Sequence, residues 1–340
     1  MKVFVCDAGE FGTAMASVAA RAGNEVALLI QPYDQNQKDL LYNLKNGTQQ
    51  TNYIHLPGVK PPPMEFTDNF EAAKFADVIF LAVPTKYIGQ VFLKIKECLE
   101  VNSKAILVLL SKGFDSFGDV PWGVKLHNNL KLSGHKNFAV ISGPTFAKEI
   151  VRPYTAHFVS CASKNISVIR KLKALFKGSD LHLVGTTDLA GVSWGGPLKN
   201  AYAIGYGLIL KQAGESAAWQ YIWLALNEMK AFLEFTGACL KTLHSPAIER
   251  DFYMTSRGNS RNRKLGEFLA EYQSKEKIKE RVENPANTVE GYESMKTLWK
   301  IAHENKLEAP LLYGIHLICE YGASPDTFAS CFRRVKALSS

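Results

Sequence analysis

A chain of 340 residues, 46% hydrophobic and 21% charged, is long enough to bury two cores. Its longest apolar runs, at 77–83 and 105–110, fall far short of the roughly 20 residues a membrane-spanning helix needs. Met1-Lys2 leads straight into VFVC with no cleavable apolar leader, so a cytoplasmic protein without a membrane span is expected. The net charge of +8 points to an anionic partner. The basic residues are dispersed, and the densest run, SRGNSRNRK at 256–264, lacks the interleaved aromatics of a nucleic-acid platform. A phosphorylated small molecule is therefore expected and nucleic acid is not. The six cysteines lie far apart with no C-x-x-C pair, as reduced thiols do, and no metal site is expected.

In chain order, KVFVC reads as a strand, CDAGEFG at 6–12 as a turn, and TAMASVAARAG as a helix. Further short β-rich runs follow: EVALLI, DVIFLAV, AILVLL, FAVISG, AHFVSCA and LHLV, with Pro-rich punctuation at 55–66. Strands alternating with helical patterns give an α/β domain with a doubly wound, mostly parallel Rossmann-like sheet, expected over residues 1–188. Beyond about 190 the strand-like runs vanish and long helical periodicities take over, in LKNAYAIGYGLILKQ, AAWQYIWLALNEMKAFLEFTG and VEGYESMKTLWKIAHENK. Residues 189–340 are therefore expected to form an all-helical domain. Within it, Pro197 suits the first turn of a helix, and Trp219, Tyr221 and Trp223 are read as helix core.

The turn CDAGEFG decides whether the first domain holds a dinucleotide. In a G-x-G-x-x-G turn the first glycine makes the tight bend, the second admits the pyrophosphate, and the third lets helix pack on strand. Here Gly9 and Gly12 hold the second and third places and Asp7 the first. Aspartate tolerates left-handed backbone, so the bend survives, but its charge opposes the helix N-terminus that attracts phosphate. A dinucleotide bound at some cost in affinity is expected, with the helix beginning near Gly12 and the carboxylate turned away or offset by a nearby cation. The second strand ends ALLIQPYDQNQ, with no acid at its tip for a ribose 2′-hydroxyl, no arginine for a 2′-phosphate, and Asp34 a few residues late. On balance NAD is expected, with NADP admitted.

Seven motifs run in order along nearly the whole chain: AGEFGTAMA (8–16), FLAVPTKYI (80–88), LLSKGF (109–114), ISGPTFAKE (141–149), GGPLKNAYAIGYG (195–207), DFYMT with SRNRKLG (251–266) and TVEGYESMK (288–296). Together they resemble the NAD(P)-dependent glycerol-3-phosphate dehydrogenase family. The resemblance implies an oxidoreductase that moves a hydride between a nicotinamide cofactor and a three-carbon phosphorylated hydroxy or keto compound, glycerol 3-phosphate and dihydroxyacetone phosphate in the first place. It implies Lys199 as the proton donor and acceptor, with Lys112 and Asp251 as the other catalytic residues. Asn200, Thr255, Arg261 and Asn262 are implied for substrate, Arg261 holding the phosphate. Gly9, Glu10, Phe11, Gly12, Pro84, Lys112, Arg261 and Glu290 are implied for cofactor. A homodimer and a place in phospholipid biosynthesis are implied as well.

The chemistry suits these residue types. An alkoxide forming on a ketone needs a proton donor of near-neutral pKa, and a lysine in a desolvated cleft beside another cation provides one. A guanidinium offers two phosphate oxygens a planar fork. Departures from the family pattern are Asp7, the aromatic segment around Trp219 and a shortened loop between Thr255 and Ser260. They leave two alternatives open: the same chemistry on another phosphate- or phosphonate-bearing substrate, or a non-catalytic nucleotide-binding regulatory protein.

Overall fold

The computed structural model describes residues 1–31, 35–46, 62–115, 118–152, 156–271, 273–284 and 289–335; Asp34, Thr288 and residues 55–61 of the Pro-rich segment lie outside them. The chain divides into two compact units, Met1–Ser111 with Trp122–Leu189, and Lys112–Pro121 with Ala190–Ser340.

The first unit holds strands β1 (Lys2–Cys6), β2 (Glu25–Leu29), β3 (Glu65–Thr67), β4 (Val78–Leu81), β5 (Ile106–Leu109), β6 (Phe138–Ser142), β7 (His157–Ala162) and β8 (Leu181–Thr186). Between them run helices α1 (Glu10–Arg21), α2 (Gln35–Lys45), α3 (Ile88–Val101), α4 (Trp122–Leu132), α5 (Ala147–Ile150) and α6 (Ile166–Leu175). The eight strands form one sheet in the order β3-β2-β1-β4-β5-β6-β7-β8. Neighbours are parallel except β6 and β7, which run antiparallel. Crossover helices cover such a sheet on both faces, so its central strands carry unbroken apolar runs, and Val78–Leu81 and Ile106–Leu109 are buried at every position. The three residues of β3, at one edge, are too few to show a pattern and were not anticipated.

The strand order reverses between β1 and β4, and ligands of open α/β sheets bind at such a switch point, beyond the carboxyl ends of the strands. Cys6 pairs with Leu81 there. The helix after β1 begins earlier than expected, at Glu10 with Gly9 as its N-cap.

The second unit consists of α7 (Leu189–Phe235), α8 (Asp251–Arg257), α9 (Arg261–Leu269), α10 (Lys275–Glu283), α11 (Glu290–Glu304), α12 (Pro310–Tyr321) and α13 (Pro325–Arg334), with shorter turns between. Residues 112–121 group with it for identifiable reasons: Phe114 packs edge-on against Trp194 at 5.4 Å between ring centroids, and Asp119 pairs with Lys300 at 2.9 Å.

Helix α7 is two helices end to end, broken at Gly214, whose φ of 80° is left-handed. Pro197 lies in the interior of the first half, not in a first turn, so no N–H from it reaches back along the helix. Of the three aromatics expected in the core, only Tyr221 is there, its hydroxyl donating to the carbonyl of Tyr202 at 2.7 Å. Trp219 and Trp223 are 46% and 50% exposed, because the covered face of the second half is the one carrying Tyr221, Met229 and Phe232. The Arg257 guanidinium lies 5.2 Å from the Trp219 ring centroid. On the covered side, buried Glu228 accepts from the backbone N–H of Leu311 (2.7 Å) and Leu312 (3.2 Å) and from the Tyr202 hydroxyl (2.9 Å). One carboxylate thus satisfies the first turn of α12, whose N–H groups have no partner within the helix.

Candidate active site

Lys199 stands on the first half of α7 and is 6% exposed. Its ammonium donates to Thr255 Oγ1 at 2.7 Å and lies 3.2 Å from Asp251 Oδ1. Asp251 is fully buried at the start of α8, and its other oxygen, Oδ2, accepts from Lys112 Nζ at 2.7 Å. One carboxylate therefore bridges two ammonium groups, and Thr255, one helical turn along α8, also approaches it.

This cluster depends on a close approach of the 112–121 segment to α7. A Cβ on Gly196 would fall 2.8 Å from Lys112 Cβ, so only glycine there admits the lysine stem. Lys112 keeps 18% of its side chain in contact with solvent, whereas Lys199 keeps 7%.

Burial, with the positive charge of Lys112 acting in the same direction and against the pull of Asp251, brings the Lys199 ammonium down from 10.5 to about 8. An amine so placed can give or take a proton near neutral pH.

Asn200, Asn262 and Glu290 form a second chain of contacts. Asn200 Nδ2 donates to Glu290 Oε2 (3.2 Å), Asn262 Nδ2 donates to Asn200 Oδ1 (2.9 Å), and Asn262 Oδ1 accepts from the Gly291 N–H (3.0 Å). Both amides are buried and hold each other and the start of α11. Arg261 opens α9 and is exposed, and among the described residues it has no hydrogen bond or ion pair. Its neighbour Arg263 is committed, to Glu267 at 2.7 Å and to the carbonyl of Arg257 at 2.8 Å.

The remaining cofactor candidates, Gly9, Glu10, Phe11, Gly12 and Pro84, belong to the first unit, while Lys112, Arg261 and Glu290 belong to the second. Gly9 is the N-cap of α1 and offers no side chain to the first-turn N–H groups, which suits the close approach of an anion. A Cβ on Gly12 would meet the Asp7 carbonyl oxygen at 2.0 Å, which fits the third glycine's role of packing helix on strand. Pro84 is exposed in the turn after β4, on the other flank of the switch point. Glu10 is exposed in the first turn of α1, and Phe11 packs partly against the core. The geometry fits a dinucleotide, its pyrophosphate at the start of α1.

Asp7 has φ 95°, as the bend requires, and is buried. Its carboxylate, expected to turn away or to be offset by a cation, accepts from an amide: Gln37 Nε2 donates to Asp7 Oδ1 at 2.5 Å. Gln37, on α2, was not foreseen. Thirty residues separate it from Asp7, and nothing in a polar helix marks one glutamine as buried.

A doubly wound sheet with a glycine-capped helix start at its switch point in one unit, and a buried lysine paired with an aspartate in the other, suit a dinucleotide-dependent dehydrogenase. Family models sharpen this: residues 2–168 match the NAD-dependent glycerol-3-phosphate dehydrogenase N-terminus and residues 188–330 the C-terminus. The chain belongs to the NAD-dependent glycerol-3-phosphate dehydrogenase family.

Among curated relatives, glycerol-3-phosphate dehydrogenase [NAD(P)+] of Francisella philomiragia is 26% identical over 331 residues, 95% of this chain and 94% of that protein. The enzyme of the same name from Leuconostoc mesenteroides is 27% identical over 322 residues, 93% of each. Among solved structures, glycerol-3-phosphate dehydrogenase from Coxiella burnetii superposes with a TM-score of 0.81 at 24% identity, covering 98% of this chain and 99% of that one. The Plasmodium falciparum enzyme gives 0.82 at 18% identity, covering 100% and 97%. These two likenesses speak to the fold. Among the described residues no helix is long and apolar enough to cross a membrane.

Proposed function

We propose that the protein catalyses the NAD(P)-dependent interconversion of glycerol 3-phosphate and dihydroxyacetone phosphate. The observation that carries this reading is the buried Lys199–Asp251–Lys112 cluster, with Lys199 brought to about 8. It is a proton-transfer device, and a binding protein has no use for it. A bound nicotinamide cofactor supplies the hydride exchange with the substrate's central carbon.

Lys199 handles the proton. Two of its three N–H directions are taken by Thr255 Oγ1 and Asp251 Oδ1, which leaves the third for the substrate oxygen. In reduction it donates to the oxygen as negative charge develops, and in oxidation it accepts the hydroxyl proton. Asp251 holds both ammonium groups in place, and Lys112 adds positive charge that favours the alkoxide.

Arg261, exposed and uncommitted at the head of α9, is the phosphate anchor, aided by the helix start behind it. Asn200 and Asn262 each retain one amide N–H for a substrate oxygen, and Glu290 fixes Asn200. Gly9, Glu10, Phe11, Gly12 and Pro84 frame the cofactor in the first unit. A cytoplasmic homodimer supplying glycerol 3-phosphate for phospholipid assembly belongs to the same reading.

Oxidation of NADH and NADPH across a panel of ketones tests it. Rapid turnover with dihydroxyacetone phosphate and little with dihydroxyacetone is expected. Faster turnover of another phosphorylated or phosphonylated ketone would reassign the substrate, and no turnover with any of them would overturn the enzymatic reading.

A further inference from the structure

In a doubly wound dinucleotide site the adenosine ribose lies between the first β–α turn and the tip of the second strand, where an acid accepts from its 2′-hydroxyl. Here that tip carries Gln31. Among the described residues the charge in this corner comes from Asp7, at the position of the first glycine. Its backbone, at φ 95°, is one that glycine adopts more readily than any other residue, so a side chain is kept there against backbone preference.

The carboxylate is also aimed. Gln37 Nε2 donates to Asp7 Oδ1 at 2.5 Å, while Gln37 Oε1 accepts from the Gln31 backbone N–H at 2.9 Å. One buried amide thus ties the β1–α1 turn to the tip of β2. The other carboxylate oxygen, Oδ2, lies 2.7 Å from where a Cβ on Gly9 would stand, directly against the N-cap of α1. Asp7 and Gln37 are 3% and 2% exposed.

We infer that Asp7 selects NAD(H) over NADP(H) from the β1–α1 turn, in place of an acid at the tip of β2, with Gln37 as the residue that positions it. The selection is by field. A carboxylate shielded from water is weakly screened by salt, so it repels the near-dianionic 2′-phosphate of NADP(H) and tolerates the neutral 2′-hydroxyl of NAD(H). The inference rests on the reading of the first unit as a nicotinamide dinucleotide site.

Fluorescence titration of NADH and NADPH into wild type, Asp7→Asn, Asp7→Gly and Gln37→Leu tests it, with thermal melts alongside. Wild type should bind NADH more tightly. Asp7→Asn keeps an acceptor for Gln37 and loses the charge, so the Kd ratio should shrink about tenfold, mainly through tighter NADPH binding. Asp7→Gly suits the same backbone and should shrink it equally, which guards against a misfolded asparagine variant. Gln37→Leu, by loosening the carboxylate, should shrink it less. A structural role for Asp7 would weaken both cofactors together, and an unchanged ratio in both Asp7 variants overturns the inference while leaving the dehydrogenase reading intact. Failure of wild type to bind either cofactor overturns both.

Discussion

The carboxylate of Asp251 is the hinge of the proposed chemistry, and Asp251→Asn removes its charge while keeping its shape. At the 3.2 Å between Lys199 Nζ and Asp251 Oδ1, with an effective dielectric of about 20, the attraction is about 5 kcal/mol. A pKa unit corresponds to about 1.4 kcal/mol, so a third of that attraction is enough to move Lys199 by about one unit. The direction is downward, because burial and the positive charge of Lys112 both disfavour the ammonium once its counter-charge is gone. In wild type, kcat/KM for oxidation of glycerol 3-phosphate should rise with pH through an inflection near 8, as Lys199 becomes a base, and ketone reduction should fall through the same point. In the variant both inflections should drop by about one unit or more, and reduction near neutrality should slow about a hundredfold for want of an oriented, protonated donor. Reduced-cofactor absorbance measured across pH in both directions reads all of this. A slowed enzyme whose inflections stay at the wild-type pH would refute the electrostatic role of Asp251, and inflections moved upward would refute the assignment of Lys199 as the titrating group.

Arg261→Ala should cost about 2–5 kcal/mol in kcat/KM with the phosphorylated ketone and leave dihydroxyacetone nearly unaffected, so the two substrates converge; a variant that still prefers the phosphorylated one moves the anchor elsewhere. Glu228→Ala strips the start of α12 of the carboxylate that serves the Leu311 and Leu312 N–H groups and should destabilise the fold by about 2–5 kcal/mol in denaturant titration; a loss under about 1 kcal/mol would mean water replaces it at no great cost.

Much of the fold was written in local pattern. Seven of the eight strands announce themselves as runs rich in apolar residues, and the central β4 and β5, buried at every position, are apolar throughout. The turn at 6–12 was legible because its constraints are steric and local: Gly12 stands where a Cβ would strike the Asp7 carbonyl oxygen, and Asp7 is a residue that tolerates φ 95°. Lys199, Lys112, Asp251 and Thr255 were named from motifs scattered over the chain, and the structure brings all four together.

What needed tertiary structure is what depends on pairing across distance or on which face of an element is covered. The antiparallel run of β7 against β6 is set by the path of the connection between them, since parallel and antiparallel partners can share one composition. On a helix the aromatics at 219 and 223 share a face that 221 does not, and the pattern leaves open which side meets the core; only Tyr221 does. Glu228 looks like any charge on a helix until α12 is seen to begin on it. Residues 112–121 join the helical unit through Phe114 against Trp194 and Asp119 against Lys300, contacts between segments far apart in the chain. The tie from Asp7 through Gln37 to Gln31 was illegible for the same reason: a buried polar group is chosen by its partner, and the partner is known only once the chain has folded.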